Sequence, residues 1–184
     1  MKSSFLKLCF IMSGVVIMSL NARSQELLTI LPVNKTTNKV EYTEVVKVEG
    51  TASELYTRGL MWINTFYKNP SDVTKIRDEG NGIISGTHRI QLMKKLADST
   101  DVPSGLVQYD FKFEFKEGRF RYTINDFASK EMSKQPIEKW LNPKDPSFNA
   151  NTVNQLKQID KYVKDLIAGL KKGMQPKVVV KDEW

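Results

Sequence analysis

A chain of 184 residues with one cysteine, one histidine and a formal net charge of +7 has room for one domain with a substantial core. One cysteine excludes a disulfide framework, and one histidine confines any triad or histidine-metal cluster to a single centre. The basic surplus is modest and argues weakly for a polyanionic partner.

Taken in order, the first residues read as a secretory leader. Lys2 and Lys7 precede the apolar run Cys9 to Leu20 (CFIMSGVVIMSL), and Ala22-Arg23-Ser24 offers a small-x-small cleavage site before Gln25. The run is too short and wrongly flanked for a membrane span. Cys9 precedes the run without small residues ahead of it, so it reads as part of the leader, not as a lipid-attachment site. The expected division is a signal peptide over 1–24, one α+β domain over 25–175 and a C-terminal tail over 176–184. Lys2, Lys7 and Arg23 leave with the leader and no acid does, so the charge falls from +7 to +4. The remaining chain has no cysteine, which removes thiolate zinc, and no later segment long and apolar enough to cross a bilayer.

Gln25 to Asn38 reads as a lead-in that packs along the domain. Val40 to Glu49 is the first strand, with Val40, Tyr42, Val46 and Val48 on one face and Glu41, Thr43, Val45, Lys47 and Glu49 on the other. Glu44 falls in the inward set, an oddity that calls for a basic partner or a strand irregularity. Thr51-Ala-Ser-Glu54 is a capping box opening a helix to about Lys68. Leu55, Gly59, Trp62, Ile63 and Phe66 form its apolar stripe, and Asn69-Pro70 stops it. Gly59 within that stripe fits a strand passing close beneath it. Val73 to Asp78 and Ile83 to Met93 are strands joined by the turn Glu79-Gly80-Asn81-Gly82. The second places Ile84, Gly86, His88, Ile90 and Leu92 on its core face. Lys94 to Gly105, with proline and glycine, reads as a long exposed loop.

The strongest pattern in the chain is Leu106 to Phe127 (LVQYDFKFEFKEGRFRYTINDF). Val107, Tyr109, Phe111, Phe113 and Phe115 alternate with polar residues, Glu117-Gly118 supplies a two-residue turn, and Phe120, Tyr122 and Ile124 alternate after it. Folding about that turn predicts Phe115 opposite Phe120, Phe113 opposite Tyr122, Phe111 opposite Ile124, and Glu114 opposite Arg121 on the other face. A one-residue slip would expose the aromatic row, so the register is strongly specified. Pro136 opens a short helix presenting Ile137, Trp140 and Leu141. Thr152 with Gln155 reads as a second capping box, opening a helix that ends at Gly173. Its apolar face holds Val153, Leu156, Ile159, Val163, Leu166, Ile167 and Leu170. Lys157, Asp160, Lys161, Lys164 and Asp165 line the solvated face.

The order β-α-β-β-β-β-α, with one apolar stripe per helix and one apolar face per strand, predicts two layers. A curved antiparallel sheet of about five strands carries both helices on one face. The runs Leu31-Pro32, Val40 with Tyr42, Glu44-Val45-Val46, Gly50, Glu54-Leu55-Tyr56, Trp62, Phe66 and Gly82-Ile83-Ile84-Ser85-Gly86 resemble a family of exported bacterial domains of unknown function. That family is assigned a TATA-binding-protein-like (TBP-like) fold. The resemblance covers roughly Leu31 to Ile124. It implies the fold and an exported setting, and transfers no functional residues.

Minor-groove binding needs a sheet face of bases and apolar wedges. The expected open face instead intersperses acids and bases without an aromatic, so no nucleic acid is expected. His88, on the core-facing side, reads as a structural histidine. Ser85-Gly86 in mid-strand lacks the strand-to-helix elbow of a serine nucleophile. Asp78, Glu79, Asp98 and Asp101 lack the dense oxygen ligands of a calcium loop. Glu41, Glu44 and Glu49 single out no acid/base pair. The glycines at 80 and 82 have no following helix or lysine to make a phosphate loop. The bases of the last helix (Lys157, Lys161, Lys164, Lys171, Lys172) are interleaved with acids as on a solvated face. The sequence thus assigns no catalytic residue, metal or cofactor. It predicts an exported binding module, periplasmic or extracellular and without stable membrane insertion, that meets an envelope protein or polar ligand. The contact would be its open sheet face (Thr87, Arg89, Lys112, Glu114, Arg121) or the Lys94–Gly105 loop. The rival is a hydrophobic-ligand or lipid carrier, which requires a cavity between helices and sheet.

Overall fold

The structure is a computed structural model that describes residues 30–130 and 134–176. The expected leader over 1–24 and nearly all of the tail, with its valine run, lie outside the described residues. In chain order the elements are β1 (Tyr42–Lys47), α1 (Ala52–Phe66), α2 (Pro70–Val73), β2 (Thr74–Asp78), β3 (Ile83–Lys95), β4 (Asp101–Lys116) and β5 (Arg119–Lys130). Then come β6 (Lys134–Pro136), a 3-10 turn (Ile137–Leu141) and α3 (Thr152–Gly173). The sheet is antiparallel in the order β1-β5-β4-β3-β2, with β6 added to the far end of β5.

The β4–β5 hairpin organises the rest. Its register pairs Phe115 with Phe120, Phe113 with Tyr122, Phe111 with Ile124 and Glu114 with Arg121, as the alternation requires. Gly118 takes φ +70° at the turn, the left-handed conformation that favours glycine. Val107, Tyr109, Phe111, Phe113 and Phe115 are all buried. Both long helices cover this row from the same side. Trp62 of α1 meets Phe113 edge-on at 5.8 Å, Tyr56 meets Phe115 at 5.9 Å, and Tyr162 of α3 lies 5.9 Å from Tyr109. Gly59 faces the Phe115 ring so closely that a Cβ there would stand 2.9 Å from Cε1. The ring occupies the place a side chain would need.

Local signals account for most boundaries. Thr51 caps α1: its Oγ1 accepts from the Glu54 amide at 3.3 Å, and the Glu54 carboxylate accepts from the Thr51 amide at 2.8 Å. Such a cap contributes about 1 kcal/mol. Leu31 is buried and Val33 bridges to Val40, so the described part of the lead-in, from Ile30 on, packs along the domain. Ile137, Trp140 and Leu141 dock from the 3-10 turn, with Pro136 as its N-cap.

Three expectations are corrected. Lys94 to Gly105 is not a long loop: the β3–β4 ladder continues to Lys94 opposite Val102 and Lys95 opposite Asp101, leaving only Leu96–Thr100 as the connection. A register shift between Leu92 and Met93 places Pro103 opposite Met93, which accommodates a residue without an N–H. Gln158 of α3 then closes the gap, since its side-chain oxygen accepts from Met93 N at 2.9 Å and its Nε2 donates to Met93 O at 2.8 Å. Thr152 and Gln155 do not form a capping box. Asn151 holds the cap position, Thr152 Oγ1 accepts from Asn149 N at 2.9 Å, and both side chains are buried as α3 docks. Finally, β5 runs past Phe127 to Lys130 through a bulge opposite Tyr109, where Asp126 takes φ +51°. That extra residue resets the alternation, so Phe127 returns to the core at 1% exposure.

Candidate functional site

With both helices on one face, the pleat sends every second side chain of the central strands to the other. The ladders fix which of them are neighbours. Thr43, Thr123, Lys112 and Ser85 form one row across four strands, and Val45, Arg121, Glu114 and Ile83 form the next. Asn125, Asp110 and Thr87 make a third. This face holds a broad depression of about 650 Å³, whose lining includes Glu41, Thr43, Thr87, Asp110, Lys112, Glu114, Arg121 and Asp126.

Its floor is held by its own polar contacts. Thr87 Oγ1 donates to Asp110 Oδ1 at 2.7 Å, and the hydroxyls of Thr43 and Thr123 lie 3.2 Å apart. Glu114 accepts from Arg121 Nε at 2.7 Å and from Lys112 Nζ at 3.1 Å. Partial burial pushes the Glu114 carboxyl up, but the hydrogen bonds from Arg121 and Lys112 outweigh it and leave its pKa below the ordinary value. At neutral pH the face therefore presents donors and acceptors of both signs, an arrangement that would select a polar group by orientation instead of by bulk charge.

Of the residues assigned to this face from sequence, Thr87, Lys112, Glu114 and Arg121 line the depression, and Arg89 stands farther along β3 opposite Gln108. The alternation missed Lys75 and Asp126. Lys75 arrives through the register shift in β2 between Thr74 and Ile76, and Asp126 through the β5 bulge. The only available signal for the latter was the Asn125-Asp126 pair, residue types that tolerate the left-handed region.

Glu44, the inward-facing oddity, sits in regular register opposite Tyr122. The Tyr122 hydroxyl donates to it at 2.7 Å and so does Lys171 Nζ of α3. Lys171, with the Tyr122 hydroxyl second, holds the Glu44 carboxyl below its ordinary pKa. β1 lies at the sheet margin, where the cover thins and the pair reaches water.

His88 belongs to a polar chain inside the aromatic layer. Tyr67 and Tyr109 hydroxyls are 3.1 Å apart, Tyr109 and Tyr162 3.3 Å, and Tyr162 lies 3.3 Å from His88 Nδ1. Burial raises all three phenol pKa values, so the hydroxyls stay protonated. The three hydroxyls and Nδ1 thus form one continuous hydrogen-bonded chain within the layer. Burial, with Arg89 second, holds the His88 pKa below its ordinary value. Between the depressed folded value and about 6.5 in the unfolded chain, the unfolded state binds more protons. Stability is full above that window and falls as the pH drops through it. We expect His88→Ala to cost about 1–3 kcal/mol at neutral pH and to flatten melting temperature against pH between about 7 and 5. Melting curves across that range check both expectations.

A second depression, of about 520 Å³, lies between α1 and the end of α3 and includes Met61, Trp62, Gly173 and Gln175 in its lining. Among the described residues no three histidines, cysteines or carboxylates come together in a way that would hold a metal ion. No helix among them is long and apolar enough to cross a membrane.

Comparison with known proteins agrees with the architecture. Residues 42–130 match the family model described as a domain of unknown function (DUF4468) with TBP-like fold. A solved DUF4468 family protein from Bacteroides ovatus is 16% identical, with 82% of this chain and 94% of that one covered at a TM-score of 0.63. A TBP-like protein from Parabacteroides distasonis is 14% identical, with 79% and 97% covered at 0.59. Likeness at these identities establishes the fold. Among curated proteins, none matches the chain.

Proposed function

We propose that this chain, whose residues 42–130 match the family model described as a domain of unknown function (DUF4468) with TBP-like fold, is an exported binding domain whose open sheet face receives a polar ligand or partner. The observation that carries this reading is the division of labour between the two faces. The helix side is closed by stacked and edge-on rings, including Phe111 on Phe113 at 5.0 Å, Tyr67 on Phe111 at 5.6 Å and Trp62 on Phe66 at 4.7 Å. The opposite side is a wide, hydrogen-bonded, charge-balanced hollow. A lipid carrier would reverse this, with an apolar cavity under the helices. Binding is favoured over catalysis because His88 serves the tyrosine chain and is not part of the depression's lining. The basic leader with its apolar run supports export.

Filling the hollow tests the reading. Thr123→Trp should deprive the protein of the envelope component retained by the wild type, while Lys157→Glu on the outer face of α3 should retain it. Mass spectrometry of what co-purifies from the envelope gives the comparison. Equal retention by both variants would count against the open face.

A further inference from the structure

The hairpin tip carries a run of like charges. The register sets Lys47 opposite Arg119, and Arg119 opposite Lys116. Three bases therefore stand abreast on β1, β5 and β4, each about 5 Å from the next. All three are exposed, and among the described residues none has an acidic partner within ion-pair distance. Like charges placed directly opposite one another weaken a sheet. Some bases elsewhere are paired, Lys39 with Asp126, Lys164 with Asp160 and Lys171 with Glu44, but among the described residues the ladders set no other three bases side by side on adjacent strands. Glu114, on the neighbouring row, is already held by Lys112 and Arg121, and among the described residues Glu117 in the turn makes no ion pair with the row. The row also borders a separate hollow of about 190 Å³ lined by Val45, Glu114, Lys116, Arg119 and Arg121. Val45 in that hollow is 56% exposed, the highest value among the exposed large hydrophobic side chains of the described residues.

We propose that the hairpin tip is the docking site for an acidic segment of a partner protein, its carboxylates meeting Lys47, Arg119 and Lys116 and an apolar side chain covering Val45. The proposal rests on the open face being the binding surface and gives the partner its chemistry. Charge complementarity selects an anion, and Val45 selects the source. An extended peptide repeats its side chains on one side about every 7 Å, the spacing of Lys47 and Val45 along β1, and so sets an acid beside an apolar contact. A sulfated or phosphorylated polymer offers the charges without a side chain for Val45.

The test uses a fluorescein-labelled peptide, Glu-Val-Asp-Glu-Val-Glu, followed by anisotropy at low and raised salt. Arg119→Glu combined with Lys116→Glu should weaken binding at least about tenfold. Val45→Asp should also weaken it, and Lys157→Glu should leave it unchanged. A purely structural row makes the opposite forecast for stability. Because Arg119→Glu turns two repulsive cross-strand pairs into attractive ones, its melting temperature should equal or exceed that of the wild type. A clear fall would overturn the proposal, as would no peptide binding, or row-dependent binding of heparin or anionic vesicles without peptide binding. If the row variants bind the peptide normally while Thr123→Trp does not, the hairpin-tip site fails and the open-face reading stands. If neither changes binding and Thr123→Trp also keeps the envelope component, both fail.

Discussion

Replacing Phe113 with alanine is expected to destabilise the fold by about 3–5 kcal/mol, the range for removing a buried aromatic ring. Phe113 is 0% exposed, stacks on Phe111 at 5.0 Å and receives the edge of Trp62 at 5.8 Å. The void would open between sheet and helix, where neither layer can collapse onto it. Trp62 is itself fixed against α3, since a Cβ at Gly173 would stand 2.8 Å from its ring. Chemical denaturation of the variant beside Ile76→Ala gives the contrast. Ile76 is 51% exposed, and its loss should stay within about 0.5 kcal/mol. A small loss at Phe113 would mean that the two layers are not closed over this row.

The second large effect is expected at Gly86, where even alanine should cost about 1–3 kcal/mol or more by overpacking. Its backbone is not strained; space is the constraint. A Cβ there would strike the Val73 carbonyl oxygen and stand 2.7 Å from Phe111 Cζ. One obstacle is backbone at the α2–β2 junction and the other is a packed ring, so neither yields cheaply. Gly59→Ala should be milder. It meets the Phe115 ring, but part of that cost is offset by the roughly 1 kcal/mol that alanine contributes over glycine in a helix. Gly118→Ala meets nothing within 4 Å and should lose only the left-handed backbone preference, about 1 kcal/mol. The expected order of melting temperatures therefore places Gly86→Ala lowest, and an inversion with Gly118→Ala would contradict the packing described here.

Much of this arrangement is legible in the sequence alone. The period of two from Val107 to Phe115, closed by Glu117-Gly118, fixes a register, and a register fixes which side chains are neighbours on both faces. Thr87, Lys112, Glu114 and Arg121 share one face for that reason. What stayed illegible were the interruptions of periodicity. Asp126 enters the hollow because a bulge adds one residue to β5, and a bulge leaves no mark beyond residue types that tolerate it. Lys94 to Gly105 looked like a loop because polar residues, proline and glycine carry no apolar alternation. A strand end that is half-buried at most needs none, and Gln158, distant in sequence, completes the hydrogen bonds at its bulge. The Thr152-Gln155 pair mimicked a capping box because the motif records spacing and not burial. Lys47, Arg119 and Lys116 each looked like an ordinary exposed base, and only the two ladders together set them abreast.

The central claim is one-sidedness: helices cover one face of the sheet and leave the other open, the face we propose receives the partner. The chain from Gln25 onward has no cysteine, so single cysteines introduced along β5 report each face under native conditions. Thiol modification rates at Thr123→Cys and Asn125→Cys, compared with Tyr122→Cys and Ile124→Cys, are the direct measurement. The account predicts fast reaction at 123 and 125 and protection at 122 and 124. Protection at 123 and 125, or equal rates at all four positions, would contradict it.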